Sequence, residues 1–332
     1  MRRALLLAAI LALPALARAD DTQAVLAGGG LRFTKSAAIA MEREDLSLSP
    51  AEVRVAFVFR NRGAEPITTD VAFPLPELDV GDFSEIPHTF HYSGRDGDLV
   101  DFHLSVDGKP VVATLDARAF NEKGVDITRV LQSLRIPLVG ARSDDEIDKA
   151  FHALKPAGVK RLLAAGGGYS DEWTGQDTAR HPRWIVRAVY HWRQTFPAGT
   201  PVRIEHRYRP ILGEIQFDKF ADLLPDNALG ALGAWPDEHR AWCATPALIA
   251  AAGDSEARAR VRWLEYILKT GANWAGPIGA FHLEIIPPPG ATALTCPISG
   301  LTLRHAGHTI LADRANFTPT SDLAVLFLST PR

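Results

Sequence analysis

Along much of the chain apolar and polar residues alternate one by one, the period of a strand with one buried face. Val53 to Phe59 places Val53, Val55, Phe57 and Phe59 at every second position, with Arg54 and Ala56 between them. Asn61-Arg62-Gly63 then turns the chain, and Ile67 to Phe73 runs back toward Pro74-Leu75-Pro76, which predicts a β-hairpin. A second hairpin is predicted where Phe102 to Val106 meets Val111 to Leu115 across Asp107-Gly108, a dipeptide that tolerates the positive φ angles of a tight turn.

The period changes after about residue 120. Asp126 can cap a short helix through Leu134, and Ser143-Asp144-Asp145-Glu146 is a capping box leading into Ile147 to Leu154. Val159 to Ala165 adds another turn or two and ends at Gly166-Gly167-Gly168. No strand precedes that glycine run and no Gly-Lys-Ser/Thr follows, so it reads as a flexible connection, not as a phosphate-binding loop. The stretch of about 120–168 is therefore a helical insert.

Strand grammar resumes at Trp184 to Trp192 and returns after Phe196-Pro197-Ala198-Gly199 as Val202 to Tyr208, a predicted long hairpin. Ile211 to Pro236 reads as a connection, and Thr245-Pro246 offers an N-cap and first-turn proline for a helix through about Ala252. Further strands are expected at Val261 to Lys269, Phe281 to Ile286, Thr292 to Cys296, Leu301 to Arg304, Thr309 to Ala312 and Leu323 to Leu328. Between the first two lies a glycine-rich corner: Thr270, Gly271 and Asn273 end one apolar run, and Gly276, Pro277 and Gly279 shape the return around Trp274. Trp274 can cap a core there, or present its flat ring to a ligand with Asn273 beside it.

The fold class that follows is mainly β, with two β-sandwich-like parts and a short helical insert between strands, α+β overall. The expected organisation is a leader over residues 1–19, an N-terminal β-sandwich-like domain over 20–212 that carries the insert, and a β-rich C-terminal domain over 213–332 with one short helix.

The leader is legible from its own chemistry. Arg2 and Arg3 precede an uncharged apolar run from Ala4 to Leu16, then Ala17-Arg18-Ala19 places small residues where signal cleavage requires them. The run is shorter than the roughly 20 residues that span a bilayer. Export to the periplasm is the expectation, with no transmembrane segment after signal removal. Without residues 1–19 the chain has 33 basic and 39 acidic residues, a net charge of −6 that offers nucleic acid no electrostatic footprint. In an oxidising compartment the two cysteines, Cys243 and Cys296, are expected to pair, stapling the helix near 245 to the sheet. A nucleophilic thiol is the competing reading.

Chemistry is sparse. The chain has no Gly-x-Ser-x-Gly elbow and no His-Glu-x-x-His pair, and its acid pairs, such as Glu42 and Glu44 on one face of a strand, do not show carboxylates facing across a cleft. Of two His-x-x-His pairs, His88 with His91 points to opposite strand faces, while His305 and His308 would face each other if Ala306-Gly307 formed a two-residue turn. A zinc site would still need further ligands, so no metal and no cofactor are expected. The hairpin arms around residue 197 carry Arg187, Arg193, Arg203, Arg207 and Arg209, either a solvated face or a surface for an anionic envelope polymer. Trp274, Asn273, Arg203 and Arg207 are thus the candidate binding residues, and no catalytic residue is assigned.

Several stretches also share a known pattern. Leu31 to Lys35, Met41 to Leu46, Val71 to Pro76, Gln194 to Gly199, Glu205 to Tyr208 and Thr270 to Ile278, in this order, resemble the bacterial exported family called domain of unknown function 4424. The resemblance covers nearly the whole chain after the leader. It implies an exported, β-rich protein with no established activity; in some relatives a small extracellular module named for its Tyr-Ala-Arg-His-Gly motif suggests binding. Val53 to Pro76 is also similar, more loosely, to the β-sandwich before the adhesion-type domain of inter-alpha-trypsin inhibitor chains. A non-catalytic binding or structural protein of the cell envelope, with another envelope protein or an anionic polymer as its partner, is the leading expectation; a hydrolase acting on cell-wall or carbohydrate polymers is its rival.

Overall fold

The computed structural model describes residues 22–27, 30–81, 88–89, 98–140, 146–170, 179–219 and 256–330. The chain opens with β1 (Thr22–Ala27), β2 (Gly30–Thr34), β3 (Ile39–Leu48), β4 (Val53–Asn61), β5 (Ile67–Pro74), β6 (Leu78–Asp79), β7 (His88–Thr89), β8 (His103–Val106), β9 (Lys109–Val111) and β10 (Thr114–Phe120). Three helices follow, α1 (Thr128–Ser133), α2 (Glu146–His152) and α3 (Pro156–Ala164), then β11 (Gly168–Ser170), β12 (Ala179–Pro182), β13 (Ile185–Phe196), β14 (Pro201–Tyr208) and β15 (Leu212–Phe217). The last described part holds β16 (Ala259–Tyr266), β17 (Ile278–Ile285), β18 (Ala291–Thr295), β19 (Arg304–Ala306), β20 (Thr309–Phe317) and β21 (Leu323–Ser329). The fold is mainly β.

An eight-stranded sheet, ordered β19-β20-β17-β3-β4-β14-β8-β9, is the backbone of the molecule. Its inner face packs on two further sheets, β10-β13-β5-β1-β2 with β6 added to β13, and β18-β21-β16-β15-β7. One continuous core joins them, with Phe57, Phe59 and Leu283 from the large sheet meeting Phe73, Tyr190, Tyr266 and Phe327 from the other two. A smaller core seats α1, α2 and α3 against Trp184 and Val186. There the Trp184 indole donates to the Leu138 carbonyl at 2.8 Å, satisfying the donor that its burial would otherwise strand.

The boundary expected at 212/213 does not separate these layers. β17 lies parallel to β3 in the large sheet, with Leu283 beside Leu46, so strands from both sides of that boundary share one sheet and one core.

Two predicted hairpins are corners between sheets. β4 pairs with β3 and β14, whereas β5 pairs with β13 and β1. Likewise β13 leaves one sheet and β14 enters the other. Both corners meet at Asn61, which is fully buried. Its side-chain amide donates to the carbonyls of Glu65 (2.7 Å) and Phe196 (3.0 Å), its side-chain oxygen accepts from Gly63 (2.9 Å), and its backbone carbonyl accepts from Gly199 (2.9 Å). Asp107-Gly108 turns the chain as expected, with φ of 49° and 74°, but the second arm is Lys109–Val111, and Thr114 and Leu115 pair with β13 in another sheet.

Smaller departures have local causes. Leu212–Phe217, read as connection, is a strand because it finds β16 beside it. Asp126 accepts from the backbone of Thr128 (2.9 Å), but the helix begins one residue later than expected, with Ile127 at the cap position. The β19–β20 turn is centred on Gly307 and His308, pairing Ala306 with Thr309, so His305 faces Ile310 and not His308. His91, residues 143–145 and the predicted helix near 245 lie outside the described residues.

A bulge between Met41 and Arg43 shifts the phase of β3. Glu42 and Glu44 were expected on one face; instead Glu42 is partly exposed and takes a hydrogen bond from Arg60 (2.6 Å), while Glu44 is fully buried. Gly279 fits against this bulge, where an added Cβ would stand 2.6 Å from the Glu42 carbonyl oxygen, so only glycine allows the two backbones to approach there.

Candidate functional site

Past the bulge, β3 turns Leu46 and Leu48 inward and Arg43, Asp45 and Ser47 outward, and the neighbouring strands keep the same alternation. Outward residues consequently align in rows across the large sheet. One row runs His282, Asp45, Ala56, Glu205, Ser105. The next runs Glu284, Ser47, Arg54, Arg207, His103. Ser47, Ala56 and Ser105 are short and make a low floor between long charged side chains. The result is a trough of about 510 Å³, within the size range of small-ligand sites.

Most charges in the trough are already spoken for. Arg43 Nε donates to Asp45 Oδ2 at 2.6 Å, and Arg203 pairs with Glu205. His282 Nδ1 lies 2.7 Å from Asp313 Oδ1, and Arg304 holds the other Asp313 oxygen at 2.7 Å. Hydrogen bonds from Arg304 and then His282 keep the Asp313 carboxyl below its ordinary range.

Two places depart from this balance. Arg54 and Arg207 stand directly opposite each other on antiparallel strands, and both reach the single carboxylate of Glu52, Arg207 at 3.7 Å. Like charges in register repel, so one carboxylate between two guanidinium groups leaves the pair short of an anion. His103 continues the row beside Arg207 and leans on Asp101 at 3.2 Å. At the far end Glu284 forms no ion pair among the described residues, and Asp45 Oδ1 has no hydrogen-bond donor among them.

Of the residues singled out in the sequence, Arg203 and Arg207 line this trough and Trp274 and Asn273 do not. Trp274 is 3% exposed and packs on Phe59, ring centroids 4.6 Å apart, and on Phe196 at 6.1 Å, so its ring caps the core. Asn273 offers its backbone carbonyl to the Ser36 amide at 2.8 Å, and next to it Ala275 N–H donates to Ile39 at 2.8 Å, which fastens the corner to the start of β3. The five arginines do not form a basic ribbon. Arg187 and Arg193 lie on β13, paired with Glu77 (2.7 Å) and Asp70 (3.7 Å), whereas Arg203 and Arg207 lie on β14 in the other sheet. Arg54, Ser47, His103 and Glu284 were not singled out, since nothing short of the strand order brings them together.

Cys243 lies outside the described residues; Cys296, just past β18, is not a free thiol. Among the described residues no group of three or more His, Cys, Asp or Glu is placed to hold a metal ion, and no helix is long and apolar enough to cross a membrane.

No curated protein sequence matches the chain. Among solved structures it is similar to one from Legionella pneumophila subsp. pneumophila str. Philadelphia 1, assigned provisionally as a nutrient binding protein, at 17% identity and a TM-score of 0.43 over 94% of this chain and 70% of that one. It is also similar to the M1 zinc metallopeptidase of Deinococcus radiodurans, at 9% identity and a TM-score of 0.29 over 88% of this chain and 43% of that one. Both scores are below 0.5. A family model settles the relationship instead: matched over residues 19–326, nearly its whole length, the chain belongs to the family described as a domain of unknown function, DUF4424.

Proposed function

We propose that the protein is an exported, non-catalytic binding protein of the cell envelope, and that the outer trough of the large sheet receives a ligand that presents an anionic group. The observation that carries this reading is the Arg54–Arg207 pair, two exposed arginines in register that share the Glu52 carboxylate and line a cavity with a low floor. A ligand carboxylate or phosphate would complete the charge balance with bidentate hydrogen bonds that arginine is shaped to make. Export rests on the basic, apolar and small-residue grammar of residues 1–19.

The test is capture from an envelope fraction on immobilised wild type and on the doubly substituted Arg54→Gln/Arg207→Gln protein. The wild type is expected to retain material that the variant releases. Equal retention by the two would remove the trough from the reading.

A further inference from the structure

The charges along the second row of the trough are not only incomplete but polarised. From β17 to β8 the order is Glu284, Ser47, Arg54, Arg207, His103: an acid without an ion pair among the described residues, a small neutral residue, then two arginines. Asp45, one row away on β3, is paired with Arg43 at 2.6 Å and its other carboxylate oxygen is buried, so Glu284 is the acid at this end that a ligand can reach. The residues of the row line one cavity, and so does Asp45. Glu284 has no cation beside it among the described residues, and Arg54 and Arg207 share one carboxylate.

We propose, building on the trough as the binding site, that its ligand is a short peptide with both termini free, lying across the strands. Its ammonium group sits on Glu284, and its carboxylate sits on Arg54 and Arg207. β17 and β4 are two strand spacings apart, roughly 10 Å. An extended chain advances at most about 3.5 Å per residue, so a peptide of two or three residues bridges the two ends. Ser47, at the midpoint, leaves room for the peptide backbone and offers it a hydroxyl. A cavity of about 510 Å³ suits a molecule of that size. A purely anionic ligand would satisfy the arginines but would be repelled by Glu284.

Titration calorimetry of the full chain with three probes tests the proposal: trialanine, N-acetyl-trialanine and trialanine amide. Trialanine is expected to bind, with each blocked form at least tenfold weaker. Glu284→Gln should abolish the penalty for acetylation while leaving the penalty for amidation, a reversal that mere damage to the fold would not produce. If N-acetyl-trialanine binds as tightly as trialanine, the ligand is anionic only and the peptide assignment falls while the trough reading stands. If trialanine binds equally well to the Arg54→Gln/Arg207→Gln protein, the trough reading itself falls. No binding of trialanine overturns the peptide assignment.

Discussion

The side-chain amide of Asn61 donates to the carbonyl of Phe196, 135 residues further along the chain. That bond ties two sheet-switching corners into one joint, because Asn61 also holds its own corner through Glu65 and Gly63 and receives Gly199 from the other. Asn61→Leu keeps the branched shape but leaves the buried Phe196 carbonyl and the part-buried Glu65 carbonyl and Gly63 amide without their partner. A loss on the order of 3 kcal/mol is expected, since each buried polar group stranded this way costs about 1–3 kcal/mol. Urea unfolding checks it: the midpoint should fall with the slope unchanged.

The same joint shows why part of the fold was legible and part was not. Asp107-Gly108 announces its hairpin because both residues must adopt positive φ, a demand met within four residues. Strand alternation from Val53 to Phe59 was equally plain, but alternation says which face is buried and not which strand lies beside it. Two strands joined by a short turn therefore read as a hairpin, although Asn61 sends the second into another sheet. The parallel pairing of β3 with β17 has no local signature at all. Glu44 was misplaced for a related reason, since the bulge that turns it inward packs against Gly279, more than two hundred residues away. The trough inherits these limits. Arg203 and Arg207 stood out as charges on one strand, while Arg54, Ser47 and Glu284 acquire meaning only from the order of strands.

Trp274 was read from its glycine-rich frame as either a core cap or a recognition surface, and its contacts with Phe59 and Phe196 select the first. Trp274→Ala should cost about 3–5 kcal/mol, the range for emptying a buried aromatic site. Thermal melts of wild type and variant measure this, and the drop should be the same with any trough ligand present. An unchanged melting temperature would contradict the cap.

An oxidising compartment should leave both cysteines protected. Intact mass after alkylation, with and without prior reduction, is expected to show Cys243 and Cys296 unreactive until reduced. On the loop-entropy model a bridge of this span contributes roughly 4 kcal/mol, so reduction should also lower the thermal midpoint. Two alkylated thiols in oxidised material would overturn the expected pairing of Cys243 with Cys296.

His206 projects from β14 into the core, on the face opposite the trough arginines, with ring contacts to Phe73 (5.0 Å), Phe102 (5.2 Å), Trp192 (5.3 Å) and Phe57 (5.6 Å). Burial penalises the charged imidazolium and lowers its pKa from 6.5 to about 3. The sign of the consequence follows from which state binds the proton. Between pH 3 and 6.5 the unfolded chain holds it and the folded chain does not, so acid favours unfolding. His206 therefore leaves stability intact above its unfolded pKa and removes it as the pH falls toward 3, by up to about 1.4 kcal/mol for each pH unit. His206→Leu places an apolar side chain of similar size among the same aromatic rings and takes the titration away. Urea midpoints of both proteins from pH 7.5 to 4.5 should diverge below pH 6.5, the wild type falling more steeply than the variant. Parallel curves would mean that the imidazole is protonated in the folded core, and the neutral aromatic cluster would have to be redrawn around a charged ring.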